Sequence, residues 1–191
     1  LQGHPSAQDT PGIEVSAGSL GQGLSVTVGA ALASKMDNHS RRCYCVMGDG
    51  EQQEGSIWEA ITSAAHFKLD NILGIVDVNR KQIDGNTADV MNIEPLAEKY
   101  AVFGWHVIDI DGHDMQAIVN AFSEARGIKG KPSVILARTV MGKGVSFMED
   151  DHRWHGKPPS LEQAGEALNA MGTSFETWKA RLERNGAGVT V

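Results

Sequence analysis

Apolar positions along the chain recur with a period that switches between helix and strand. Behind Ser19, an N-cap residue type, Leu20, Leu24, Val28 and Leu32 recur every four residues and predict one helical stripe. Gly23, Gly29, Ala30, Ala31 and Ala33 lie around that stripe and permit close packing. The apolar run 42–47, "RCYCVM", stops at a glycine and predicts a strand. Helical spacing returns over 55–69 through Ile57, Ile61, Ala64 and Ala65. The nearly continuous apolar run 71–78, "NILGIVDV", is the pattern of a strand covered on both faces. Further on, 93–104 predicts a helix stopped by Gly104, 105–110 a strand, 114–127 a helix and 133–139 a strand.

Strand and helix therefore alternate, which predicts a three-layer αβα domain with a mostly parallel sheet and right-handed crossovers. In such sheets ligands bind beyond the carboxyl ends of the strands. That rule singles out the loops 48–55, 79–86, 111–113 and 140–157. Residues 1–18 are rich in Gly, Pro, Ser and Asp and read as an ordered loop at most. Neither an internal repeat nor a low-complexity linker divides the 191 residues, so 1–191 reads as one domain or a large piece of one.

Composition narrows the function. A hydrophobic content of 41% with 21% charged residues is that of a globular chain. The net charge of -7 argues against sequence-independent nucleic-acid binding, and an anionic ligand would need helix N-termini or a metal cation rather than a lysine cluster. Apolar runs fall short of the roughly 20 residues a bilayer requires, so no membrane association is expected. Cys43 and Cys45 are the only cysteines; at i and i+2 they read as two side chains on one face of a buried strand, and the chain suits a reducing, cytoplasmic compartment. The chain opens "LQGHPSAQD" without an initiator methionine or a signal-peptide pattern. A processed terminus and a fragment both stay open, and with them an upstream targeting segment.

The chemistry concentrates where the first strand ends. Asp49 stands between Gly48 and Gly50, and 28 residues separate Gly50 from Asn79 at the end of the next strand. That interval holds one turn, one helix and one strand, so both side chains should reach the same sheet edge. If the two strands are neighbours, these side chains and a backbone carbonyl from the 79–82 loop would form a hard-oxygen set suited to Mg²⁺ or Ca²⁺, with positions left for phosphate oxygens. An isolated Gly-Asp-Gly is only a tight turn; Asn79 at the matching strand end is what favours a metal. The other phosphate motifs are missing: there is no G-x-x-x-x-G-K-[ST], and "GSLGQG" (18–23) has its glycines in the wrong order for G-x-G-x-x-G.

"GDG" followed after 28 residues by "N" resembles the thiamine diphosphate signature. The segments "GHPS" (3–6), "AGSLGQGLS" (17–25), "GDGEQQEG" (48–55), "VNRKQIDG" (78–85), "FGWHVIDIDGHD" (103–114), "KPSVILARTVMGKG" (131–144) and "HRWHGKPP" (152–159) narrow the resemblance to the transketolase family. They cover nearly the whole chain in the family's order. The likeness is greatest to the amino-terminal subunits of split transketolases, whose fold is the diphosphate-binding (PP-type) domain.

The resemblance implies Asp49 and Asn79 as Mg²⁺ ligands, with the main-chain carbonyl of Lys81 as a third. It implies that Gly50 meets the diphosphate through its backbone and that Gly18 and Leu20 lie against the aminopyrimidine ring. His4 resembles a histidine that faces sugar hydroxyls, and His155 one near the diphosphate and the reacting carbon. Glu54 and Glu59 match glutamates of a dimer-interface network. Unaided by the resemblance, His4 and His155 are ordinary loop residues, His152 and His155 lack a third metal ligand, and Glu54 and Glu59 are a solvated helix face. Ser19 stands where the family often has proline, and Arg80 and Lys81 make the metal loop more basic than usual.

The resemblance further implies transfer of a two-carbon ketol unit from a ketose phosphate to an aldose phosphate in the pentose phosphate pathway. The glutamate that activates the cofactor belongs to a pyrimidine-binding domain, on a partner chain or in a C-terminal half, and the family's segment before "GHP" carries a first strand and another histidine. The isolated chain is accordingly expected to be inactive, to expose a sheet edge and to make a homodimer contact. The alternatives are a 1-deoxyxylulose-5-phosphate synthase-like enzyme, a transketolase for branched sugars, or a non-catalytic association module.

Overall fold

The computed structural model describes residues 3–184, which divide between two compact units, Leu1–Thr139 and Val140–Val191. In the first, the elements run α1 (Gln22–Met36), β1 (Cys43–Gly48), a 3₁₀ turn (Gly50–Gln53), α2 (Gly55–His66), β2 (Ile72–Val78), a small hairpin of β3 (Lys81–Gln82) and β4 (Gly85–Asn86), α3 (Thr87–Val90), α4 (Leu96–Val102), β5 (His106–Asp111), α5 (Met115–Gly127) and β6 (Ser133–Arg138). The strands predicted from apolar runs are all present, each within a residue or two of its expected ends.

The main sheet is parallel throughout, in the order β1-β2-β6-β5. Alternate strand positions feed two cores. Cys45 and Met47 of β1, Ile72 and Val76 of β2, and Val134 and Leu136 of β6 pack with α1, α2 and α4. The intervening Leu73 and Ile135, with Ile108 of β5, pack against Ala121 and Ala125 of α5. This is the expected three-layer αβα arrangement. The connection from β2 to β5 passes over the place that β6 fills, and α5 returns on the other face; the strand order reverses there, as in sheets that bind ligands at the carboxyl edge.

Helix α1 departs from the sequence pattern at its start. Gly21, in the left-handed region at φ 81°, is its N-cap, not Ser19, and Leu20 lies outside the helix, about half exposed. Leu24 and Val28 are buried as expected, whereas Gly29, Ala30 and Ala33 are exposed. Helix α4 is shorter than the predicted 93–104. Helix α5 begins where Asp114 caps it, the side chain accepting from the N–H groups of Gln116 and Ala117. Cys43, Cys45 and Met47 share one face of β1, so the cysteines sit as the alternation predicted.

The second unit holds a turn at His152–Trp154 and two helices, α6 (Leu161–Ala170) and α7 (Phe175–Arg184). Ser160 and Gln163 close a reciprocal capping box on α6. The Trp154 indole donates to the Phe147 carbonyl, with the two rings 5.4 Å apart. Among the described residues no helix is long and apolar enough to cross a membrane.

Candidate metal and cofactor site

β1 and β2 are adjacent and in register, Gly48 opposite Asp77, so Asp49 and Asn79 leave the sheet side by side. Asp49 is 1% exposed. One carboxylate oxygen accepts from the Gly50 N–H at 2.8 Å and the other from the Arg80 N–H at 2.6 Å. Arg80 reaches that position with φ 63°, a left-handed conformation uncommon for a residue with a side chain. The Asn79 carbonyl oxygen accepts from the Lys81 N–H at 2.9 Å, and its amide nitrogen donates to Asp77 at 3.2 Å. Thr139, just past β6, donates its hydroxyl to the other oxygen of Asp77. A Cβ on Gly50 would lie 2.8 Å from Gln82 Cβ and 3.7 Å from the Lys81 carbonyl oxygen, so only glycine lets the turn approach the hairpin this closely.

Burial pushes the Asp49 carboxyl from its ordinary 3.8 up to about 6; the N–H groups of Arg80 and Gly50 pull it down, and the Asp77 carboxylate pushes it further up. Among the described residues no group of three or more His, Cys, Asp or Glu side chains converges as a metal cage. A cation here would draw on one carboxylate, one amide oxygen and main-chain carbonyls. These donors fit a hard divalent ion: the carboxylate is buried and held by two backbone N–H groups, and the Asn79 oxygen keeps a second lone pair.

The 18–23 segment meets this turn through Glu51. One Glu51 oxygen accepts from the Gly21 N–H at 2.8 Å and the other from the Gly48 N–H at 3.1 Å. Gly21 is buried, and its carbonyl accepts from the Ser56 hydroxyl. Next along, Gln52 is fully buried, donates to the Gly48 carbonyl at 3.0 Å and accepts from the Tyr100 hydroxyl at 2.8 Å. His4 and Gly18 line a cavity of about 370 Å³ with Ser19 and Gln22. His4 lies over Gly18, its ring 3.0 Å from where a Cβ would project.

The model of the transketolase thiamine diphosphate binding domain matches residues 1–181. The chain belongs to the transketolase family. It is 44% identical over 186 residues to an apulose-4-phosphate transketolase subunit of Phocaeicola vulgatus, covering 97% of this chain and 65% of that one. To the 6-deoxy-6-sulfo-D-fructose transketolase subunit SqwG of a Clostridium species it is 42% identical over 190 residues, 98% of this chain and 64% of that one. The chain thus spans a little under two thirds of the length of these relatives. Among solved structures, the transketolase of Campylobacter jejuni superposes with a TM-score of 0.81 at 34% identity, over 85% of this chain and 27% of that one. The Pichia stipitis transketolase in complex with sedoheptulose 7-phosphate gives 0.82 at 31%, over 91% and 27%.

In this transketolase-family domain the structure gathers Asp49, Gly50, Asn79 and Lys81 at one strand edge, and His4 with Gly18 at one cavity. Leu20 is exposed and does not line that cavity. Glu54 and Glu59 are exposed; Glu54 is the N-cap of α2 without a side-chain cap bond, and its Cβ lies 2.8 Å from where a Cβ on Gly21 would point. His155 follows the short turn of the second unit and is exposed.

Glu51, Gln52, Asp77 and Thr139 escaped the sequence reading. A signal existed for Asp77: a lone carboxylate in an apolar strand, two residues before Asn79 and so on the same face. For Gln52 there was none, since four consecutive polar residues after "GDG" look like a solvated turn.

Proposed function

We propose that this chain is the diphosphate-binding part of a transketolase, anchoring thiamine diphosphate through a magnesium ion for transfer of a two-carbon ketol unit between sugar phosphates. The observation that carries the reading is the buried Asp49 carboxylate next to Asn79 at the carboxyl edge of two neighbouring parallel strands. Asp49, Asn79 and the Lys81 carbonyl would hold the metal. The backbone of Gly50 would meet the diphosphate, and Gly18 and Leu20 the aminopyrimidine ring.

When bound, the cofactor supplies a thiazolium carbon that serves as nucleophile and electron sink. This chain's residues bind and orient. The β1 and β2 ends would fix the metal oxygens, Asp77 holds the Asn79 amide nitrogen and so the direction of its oxygen, and His4 and His155 would donate to substrate oxygens. Completion of the site requires a pyrimidine-binding partner chain, in keeping with relatives named as subunits of transketolases. Glu54 and Glu59 would face a second copy across a dimer contact, and the assembly would work in the cytoplasm. Relatives named for a sugar phosphate and for a sulfo-sugar favour a ketose with an anionic end group.

Calorimetric titration of the chain with thiamine diphosphate, with and without Mg²⁺, tests the reading. Binding should require the metal and be lost in Asp49→Ala; unchanged binding by that variant would mean the metal is held elsewhere. The chain alone should not transfer ketol units with Mg²⁺ and the cofactor present, and turnover by the purified chain would overturn the need for a partner.

A further inference from the structure

We infer that Glu51 is a positioning residue: its carboxylate clamps the 18–23 segment to the Gly48–Gly50 turn and so fixes the distance between the two halves of the cofactor cradle. The inference rests on the cofactor reading above, but it is carried by the geometry of Glu51 itself. In β1 the odd-numbered residues turn their backbone groups toward β2, as the bonds from Cys43 to Asn71 and from Asp49 to Asp77 show. Gly48 therefore turns its N–H and C=O away from β2. Glu51 takes the first and Gln52 the second. The other Glu51 oxygen takes the N–H of Gly21, thirty residues away in sequence.

Gly21 is held from both sides, by Glu51 at its N–H and by Ser56 at its C=O. Its φ of 81° and the 2.5 Å from a would-be Cβ to the Ser56 oxygen leave it no other residue type. α1 begins at the next residue without a side-chain cap. The carboxylate thus sets where the 18–20 stretch stands relative to Asp49. A carboxylate that accepts from two N–H groups, one on each segment, fixes direction as well as distance.

The 20.5 kDa chain suits amide spectroscopy. Glu51→Gln keeps one acceptor oxygen and Glu51→Ala keeps none. Hydrogen exchange at Gly21 and Gly48 should accelerate at both amides in Glu51→Ala and at one in Glu51→Gln. Titration with Mg²⁺ and thiamine diphosphate should shift the 18–23 and 48–50 amides of the wild type together. In Glu51→Ala the 48–50 response should persist, the 18–23 response should fade, and affinity should fall about tenfold, with Glu51→Gln between. Amides still protected in Glu51→Ala, or wild-type affinity in that variant, would overturn the clamp. Accelerated exchange in the variants beside a wild type that binds no cofactor would instead overturn the cofactor reading, leaving Glu51 a purely structural contact and the positioning role refuted with it.

Discussion

Replacing Asp49 by asparagine removes the charge that the turn buries while keeping the size of the side chain. The folded-state carboxyl lies at about 6 against an ordinary 3.8. Because the folded value is the higher one, the folded chain holds that proton more tightly than the unfolded chain. The stabilisation this gives is complete below about pH 4 and is lost as pH rises through 6. At about 1.4 kcal/mol per unit, the loss amounts to about 3 kcal/mol. An asparagine has no such dependence. It does leave one of the two N–H groups, of Gly50 or Arg80, facing a donor, which costs about 1–3 kcal/mol at every pH. Urea unfolding of both proteins from pH 4 to 7.5 in EDTA separates the two effects. The stability difference, variant minus wild type, should climb by about 2.4 kcal/mol across that range. Added Mg²⁺ should then stabilise the wild type at pH 7.5 and leave the variant unmoved. Parallel pH profiles, or a difference that narrows in the other direction, would refute the argument from burial.

Gly50→Ala should push Gln82 and the β3–β4 hairpin away, costing about 1–3 kcal/mol in thermal unfolding, with the Lys81 carbonyl displaced from the metal side. Asp70 is affected by burial, which raises its pKa, but the Gly130 N–H and the Lys35 ammonium outweigh it and hold the carboxyl below its ordinary value. Its contribution is therefore present above the unfolded value and lost as pH falls through the lower folded one. Asp70→Asn should cost up to about 1 kcal/mol at neutral pH and nothing in strong acid, measured by urea midpoints at both.

The sheet was legible because its strands are bounded apolar runs, and the spacing put Asp49 and Asn79 at one edge of it; that β1 and β2 are neighbours there is what the structure adds. The start of α1 was not, because Ser19 has the chemistry of a cap while the chain uses the left-handed freedom of Gly21 two residues later. Gln52 and Tyr100 show the same limit from the other side. Sequence reveals that a residue is polar but not that it is buried with a partner 48 positions away. The helices α6 and α7 drew no expectation, since their apolar positions are sparse and the stretch after 157 offered no motif to anchor them.

The side chains that finish Gly48 also govern what can be added to the sheet. Among the described residues β1 has one strand neighbour, β2. An incoming strand could align with Tyr44 and Val46, whose backbone groups turn the same way as those of Gly48. It would have to stop there, because the last pair of ladder positions is already taken by Glu51 and Gln52. The edge is a ruler with a fixed end: growth is permitted along the body of the strand and refused at the loop that carries Asp49.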